Sequence, residues 1–243
     1  MKKQIIYKIK SNRCLAKDVF LLTLVGDVDF APQPGQFVNI KIEDFFLRRP
    51  ISICSCTNSS LNLIYKVIGN GTKKLSQMLP NQELNLLCGL GHGFDLKPAI
   101  GKIVLVGGGV GAAPLFFLAE KLKEAGANFI AVLGWQNANS IFYLREFSSL
   151  CPVFVATNTG EAGQKGFVTD ILKTMAYDYY FACGPLTMLK AIHKCGKPGQ
   201  LSLEERMGCG FGICLACCCN STKGNKLVCT RGPVFFSNEL IFD

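Results

Sequence analysis

Hydrophobic and polar positions divide the chain into stretches of different texture. From Met1 to about Lys97 the apolar residues come in short extended runs: "FVNIKI" (37–42) alternates, and "LNLIYKVI" (61–68) is rich in strand formers. Pro-Gly and Asn-Gly pairs punctuate the intervals, which predicts an antiparallel barrel or sandwich. Near Ala99 the pattern changes. "GKIVLVGGGVGAAPLFFLAEKLKEAGA" reads as a buried strand, a glycine turn and a helix with Leu115, Leu118 and Leu122 on one face. Pro114 suits the first turn of that helix and Gly126 its C-terminal cap. "NFIAVLGW" (128–135) predicts another strand, and "DYYFACGPLTMLKAIHK" (178–194) repeats strand, turn and helix. Such alternation implies a parallel sheet covered by helices. After "CGKPGQ" a cysteine-rich segment closes the chain, so the expected divisions are 1–97, 98–200 and 201–243.

Composition narrows the class. With 243 residues, 49% hydrophobic and 18% charged, the chain can bury a sizeable core. Thirteen cysteines suggest a secreted disulfide scaffold, but that class is short and loop-rich, whereas most of these cysteines stand singly in apolar segments. A reducing cytoplasm is the expected location. Lys8, Lys10, Arg13 and Lys17 interrupt any signal-like apolar run, and no stretch reaches the length of a membrane span. The net charge of +9 is spread without an arginine-rich run, which argues against nucleic acid and for anionic cofactors.

Gly107, Gly108, Gly109 and Gly111 lie between a strand and a helix start, where bare backbone lets a pyrophosphate approach free N–H groups. A tight turn without ligand is the alternative. The acidic residue that an ordinary dinucleotide fold carries some twenty residues on, to hold the ribose, is missing from "NFIAVLGWQNAN". A different nucleotide fold is therefore expected, one that also uses the second turn at Cys183, Gly184 and Pro185.

Cys209, Cys214 and Cys217 have C-x4-C-x2-C spacing, and Cys229 follows. This is the plant-type 2Fe-2S ligand spacing. Gly208, Gly210 and Gly212 supply the backbone freedom such a loop needs. Zinc is the main rival, yet its second paired knuckle is absent and no histidine is near Cys229. Cys218 and Cys219 are either spare thiols or alternate ligands. His92 and His193 are too few and too separated for a catalytic constellation, and His193 is expected to cap a helix end.

"LRRPISIC" (47–54) with "GNGT" (69–72) resembles the flavin-binding pattern of the ferredoxin-reductase superfamily. The resemblance implies an antiparallel FAD barrel followed by a parallel α/β nucleotide domain. It puts Arg49 on the FAD phosphates and Ser52 by the isoalloxazine ring, with Pro50 and Ile51 in the same flavin-binding motif and Ile64, Tyr65 and Lys66 on the neighbouring strand. Gly71 and Thr72 would open a helix toward the pyrophosphate. The glycine turn and Cys183-Gly184-Pro185 would hold NAD, with Cys183 near the nicotinamide. The absence of Arg or Lys in "GWQNANS" fits NAD better than NADP.

"LSLEERMGCGFGICLACCCN" and "CTRGPVF", with "LRRPISI", "GLGHGF" and "LVGGGVGAAPL", resemble the electron-transfer subunits of type B, NAD-linked dihydroorotate dehydrogenases along the whole chain. The chain departs from that pattern at Gly89-Leu90, where a proline is usual, and at Lys66, where an arginine is usual. The resemblance implies a partner, an FMN-containing catalytic subunit, in a heterotetramer of two plus two. Electrons from dihydroorotate would enter through the cluster and leave from FAD to NAD+, in pyrimidine biosynthesis. Two other readings use the same residues: a flavin and iron–sulfur reductase subunit of a sulfite-reductase or hydrogenase complex, and a metal-stabilised binding module without redox activity. A cluster that meets a partner predicts exposed apolar residues in "FGICLA" and "PVFFSNELIF".

Overall fold

The computed structural model describes residues 2–28 and 30–242. Strands β1 (Lys3–Ala16), β2 (Val19–Val25), β3 (Phe37–Lys41), β4 (Arg49–Cys56) and β5 (Ser60–Lys66) precede helix α1 (Asn70–Ser76) and β6 (Glu83–Leu90). These six strands close an antiparallel barrel in the order β1-β2-β5-β4-β3-β6. Closure leaves no sheet edge, and the inward positions fill the interior, among them Tyr7, Leu22, Ile40, Ile53, Leu63 and Leu86. Barrel and not sandwich is thus the answer to the strand pattern.

The chain then alternates as its texture predicts. Strand β7 (Ile103–Gly108) leads into α2 (Ala112–Glu124) and β8 (Phe129–Trp135) into α3 (Leu144–Ser148). Beyond them come β9 (Val153–Thr157), β10 (Gln164–Lys165), α4 (Val168–Leu172), β11 (Tyr179–Cys183) and α5 (Leu186–His193). Next are β12 (Gly199–Ser202), the short pair β13 (Cys218–Cys219) and β14 (Lys226–Leu227), α6 (Val228–Arg231) and β15 (Val234–Phe236). The second sheet has the order β10-β9-β8-β7-β11-β12-β15. Its strands run parallel except β15, which returns antiparallel to β12. The expected division at 200/201 falls inside β12, and the cysteine segment is tied to this sheet at both ends.

Helix α2 explains why the two halves form one body. Every residue from Ala112 to Ala119 is buried, not only the predicted Leu115 and Leu118, because one side meets β7 and β11 while the other packs on β4 of the barrel. A helix apolar all round is one enclosed all round. Gly126, just past the end of α2, has φ +71 as a C-terminal cap requires. Gly111 has ordinary helical angles; its constraint is space, since a Cβ there would overlap the Cys183 carbonyl and lie 2.7 Å from the Gly184 Cα. Gly111→Ala is expected to destabilise the fold by about 1–3 kcal/mol, read as a lowered denaturant midpoint at unchanged m.

His193 does not serve as the expected cap. Its ring packs edge-on against Phe242, with centroids 5.0 Å apart, and its buried Nδ1 has no partner among the described residues. Tertiary contact with the C-terminal segment decides the ring's place. Among the described residues, no helix is long and apolar enough to cross a membrane.

Candidate functional site

A cleft of about 940 Å³ runs between the barrel and the second sheet. Its barrel wall is β4 and β5, with Arg49, Pro50, Ile51, Ser52, Ile64, Tyr65 and Lys66, continued by Gly69–Thr72 at the start of α1. Facing them are Gly108, Gly109 and Gly111 from the turn before α2, and Cys183 and Pro185 from the turn after β11. Residues more than a hundred positions apart in sequence thus share one wall. Gly107 and Gly184 are not in it. A Cβ on Gly107 would lie 2.8 Å from the Leu133 side chain, so this glycine lets β7 pack on β8 and α2, while one on Gly184 would lie 3.0 Å from the Gly108 nitrogen, so that glycine lets the two turns approach.

The barrel wall presents a stacked guanidinium beside a tight glycine turn. The Arg49 guanidinium lies over the Phe45 ring, 5.0 Å from its centroid, and donates to the Leu47 carbonyl. It also covers Gly71, where a Cβ would stand 2.5 Å from Arg49 Nε. A glycine is required there for the arginine to lie flat across the helix start. The Thr72 hydroxyl accepts from the Ile68 and Gly69 N–H groups at 3.0 and 3.3 Å and donates to the Gly69 carbonyl, holding the turn shut. Tyr65 donates to Asn12 Oδ1 at 3.0 Å, and burial pushes its hydroxyl up to about 12. The Asn12 amide in turn donates to the Leu75 and Met78 carbonyls at 2.8 and 3.3 Å. One β1 side chain therefore braces both the tyrosine and α1.

At the inner end, burial first and Glu204 second push the Cys183 thiol up to about 12, against a lowering bond from Ser202. It is a neutral, compact wall residue at neutral pH. Glu204 is solvent-accessible along the cleft, and the protein surface around it draws enough water away to raise its carboxyl above the ordinary range. Ser202, Leu203, Glu205, Arg206 and Met207 complete this side. Sequence reasoning used this segment and Leu47 only for their resemblance and gave them no place at the cleft, and it missed Phe45, although the aromatic pair directly before "LRRP" and the acidic pair before "MGCG" are visible signals.

Two residues past the cleft wall, the predicted thiolate loop begins. The Cys209 Sγ accepts N–H groups from Phe211, Ile213 and Cys214 at 3.4, 3.3 and 3.5 Å, and the Cys209 N–H points to Cys214 Sγ at 3.3 Å. Burial raises the Cys209 thiol, but the bonds from Cys214, Phe211 and Ile213 together outweigh it and bring it down to about 6. Cys217 and Cys229 form a second pair: the Cys229 N–H points to Cys217 Sγ at 3.4 Å, and the two thiols are within bonding reach. Burial, then Cys217, raises the Cys229 thiol to about 12, and Cys209 is near enough to contribute.

The four sulfurs lie as two pairs, with Cys209 near enough to Cys229 to influence it. Among the described residues, no three metal-ligating side chains crowd around one point as a single ion needs. Paired thiols with N–H groups aimed at sulfur suit a binuclear group, two ligands per metal, better than one tetrahedral zinc. Gly210 and Gly212 have φ +79 and +96, angles that require glycine in this loop. Cys218 is exposed and Cys219 half-buried on β13, so strand alternation turns Cys218 away from the side that Cys217 shares with Cys229.

The chain superposes with TM-score 0.90 and 30% identity, over 100% of its length and 92% of the other chain, on a structure described as the NADH-dependent reduced ferredoxin–NADP oxidoreductase of flavin-based electron bifurcation. The Amycolatopsis cytochrome P450 reductase GcoB shares the fold at TM-score 0.71 and 19% identity, over 79% of this chain and 65% of that one. Fold and cleft together define a reductase of the ferredoxin-reductase type with an added C-terminal cysteine loop. Residues 204–241 match the family described as the iron-sulfur cluster binding domain of dihydroorotate dehydrogenase B. The electron transfer subunit of dihydroorotate dehydrogenase B (NAD(+)) from Geobacillus thermodenitrificans is 42% identical over 96% of both chains. The Fusobacterium nucleatum subunit of the same name is 36% identical over 96% of each. The chain belongs to this family of electron transfer subunits.

Proposed function

We propose that this chain passes electrons from a dihydroorotate-oxidising, FMN-containing subunit to NAD+, holding FAD in the barrel cleft and a 2Fe-2S cluster on its cysteine loop. The observation that carries the proposal is the common wall. The nucleotide turns face the flavin strand across one cleft, and the thiolate loop starts two residues beyond it. A pyridine nucleotide exchanges two electrons as hydride and an iron–sulfur cluster one, and a bound flavin supplies the conversion between them.

Arg49 and the Gly71–Thr72 turn hold the FAD phosphates, and Pro50, Ile51 and Ser52 line the ring, with Ile64, Tyr65 and Lys66 beside it. Gly108, Gly109 and Gly111 bring bare backbone to the NAD pyrophosphate, Gly184 lets the two turns approach, Gly107 seats β7 against Leu133 and α2, and Cys183 and Pro185 wall the nicotinamide. Cys183, protonated and small, lets the nicotinamide approach without competing chemically. Cys209, Cys214, Cys217 and Cys229 are the iron ligands. In this reading residues 1–97 form the FAD barrel, 98–200 the NAD domain and 201–243 the cluster segment, although β12 and β15 join the NAD sheet.

The tip of the cysteine loop supports a partner. Ile213 is 75% and Leu215 65% exposed, and Phe211 lies beside them. Apolar side chains around a redox loop suit a surface buried in a complex, here a heterotetramer of two of each subunit in the cytoplasm. The test is dihydroorotate-dependent NAD+ reduction, expected only when both the FMN subunit and this chain are present. The full-length likeness to a ferredoxin-linked oxidoreductase favours a second reading, a subunit that exchanges electrons with ferredoxin. Rapid NADH-dependent ferredoxin reduction, with no response to dihydroorotate, would select it.

A further inference from the structure

Asn39 is a fully buried polar residue in the middle of β3, and its side chain leaves the barrel for the cysteine loop. Its Nδ2 donates to the Cys209 carbonyl at 3.1 Å across a separation of 170 residues. Gly210 fits against the same amide: a Cβ there would lie 2.5 Å from Asn39 Nδ2. On the barrel side, Asn39 pairs in register with Pro50 of the flavin strand. Its carbonyl accepts from Arg48 Nη1 at 3.2 Å, and Arg48 is fixed by the Asn85 carbonyl and Asn85 Oδ1 at 3.1 and 2.8 Å. Asn39 Oδ1, also buried, has no partner among the described residues. Packing alone does not explain the residue, because an apolar side chain of that size would leave no bare acceptor in the core. The arrangement makes sense if the donor end is what matters.

We propose that Asn39 is a positioning residue that locks the cysteine loop to the flavin strand and thereby sets the electronic contact between the two redox groups. The inference rests on the function proposed above. Cys209 is the residue whose sulfur collects three backbone N–H groups, and those contacts depend on where its own backbone is held. The Asn39 amide fixes that backbone one register pair away from Pro50, so a single side chain joins the flavin wall to the first sulfur ligand. Hydrogen bonding around the sulfurs is among the factors that set a cluster's potential, and partners that orient ligands commonly matter ten- to a hundredfold.

The test uses the full chain loaded with FAD and cluster, comparing Asn39→Leu with the unmutated protein. Flavin reduction by NADH, followed alone by stopped flow, is expected to stay within about twofold. Subsequent cluster reduction is expected to slow by roughly ten- to a hundredfold, with a changed electron paramagnetic resonance spectrum and faster amide exchange over residues 208–214. A modest loss of thermal stability is expected, because the Cys209 carbonyl loses its donor while the bare Asn39 acceptor is removed with it. A cluster reduced at the unmutated rate with an unmutated spectrum would overturn the proposal. If the leucine variant does not fold, Asn39→Ala removes the donor without burying a charge or adding bulk and reads the same quantities. Absence of NADH-dependent flavin reduction in the unmutated protein would instead count against the proposed function.

Discussion

Cys214→Ser is expected to strip the protein of its iron while leaving its flavin in place. Cys214 supplies one sulfur and one of the three N–H groups that reach Cys209 Sγ, so its loss removes a ligand and disturbs the sulfur beside it. Among the described residues, the barrel's hydrogen bond to that pair is the Asn39 contact, and no cysteine of the loop lines the cleft. Dihydroorotate-dependent NAD+ reduction should fall by more than about a hundredfold, beyond what loss of a partner bonded to a ligand usually costs. NADH-dependent reduction of ferricyanide, which takes electrons from flavin, should persist. Iron and acid-labile sulfide analysis, with the visible spectrum, checks the first part. Cys218→Ser is the control: its side chain faces away from the Cys217–Cys229 pair, and iron content should be unchanged. Retention of a full cluster by Cys214→Ser would overturn the ligand assignment.

Arg49→Ala should have the opposite selectivity, losing flavin and keeping iron. The guanidinium is presented flat by Phe45 beneath it and by the missing Cβ of Gly71. Bonds from a charged donor to phosphate are worth about 1.5–3 kcal/mol each, so FAD should bind roughly ten- to a hundredfold more weakly. Gly71→Val should approach the same result with the arginine still present, because the added side chain occupies the guanidinium's place. Fluorescence titration of the flavin-stripped protein gives the affinity. FAD affinity unchanged in both variants would remove Arg49 and the Gly71 turn from the flavin site.

Much of this was legible along the chain. The alternation in "FVNIKI" and the strand-forming residues of "LNLIYKVI" marked barrel strands, although β3 is buried at four successive residues, because the second sheet and the cysteine loop cover its outer face. The "VGGGVGAAP" turn and Gly126 marked the ends of α2, since both depend on local backbone geometry. The cysteine spacing was readable for the same reason: three ligands from one short loop leave their pattern in consecutive residues. Less was legible where a residue's role is given by a distant neighbour. Asn39 looks like an unremarkable polar residue in a strand, and nothing in "FVNIKI" says that its amide meets Cys209. Phe116 and Phe117 gave no hint that both sides of α2 are covered. Glu204 stands in a segment without regular structure, and only the closing of the cleft brings it to Cys183.

By itself the sequence determined the kinds of element, their order, the glycine turns and the spacing of the cysteines proposed as ligands, all of which are written in local periodicity and spacing. Only the tertiary structure decided that barrel and sheet share one cleft, that β15 returns to pair with β12, and that the sulfurs fall into two pairs. It also decided that Gly107 and Gly184 serve packing instead of lining the wall. These outcomes depend on which surfaces bury each other across separations of a hundred residues or more, and a local pattern records that a surface must be covered without recording what covers it.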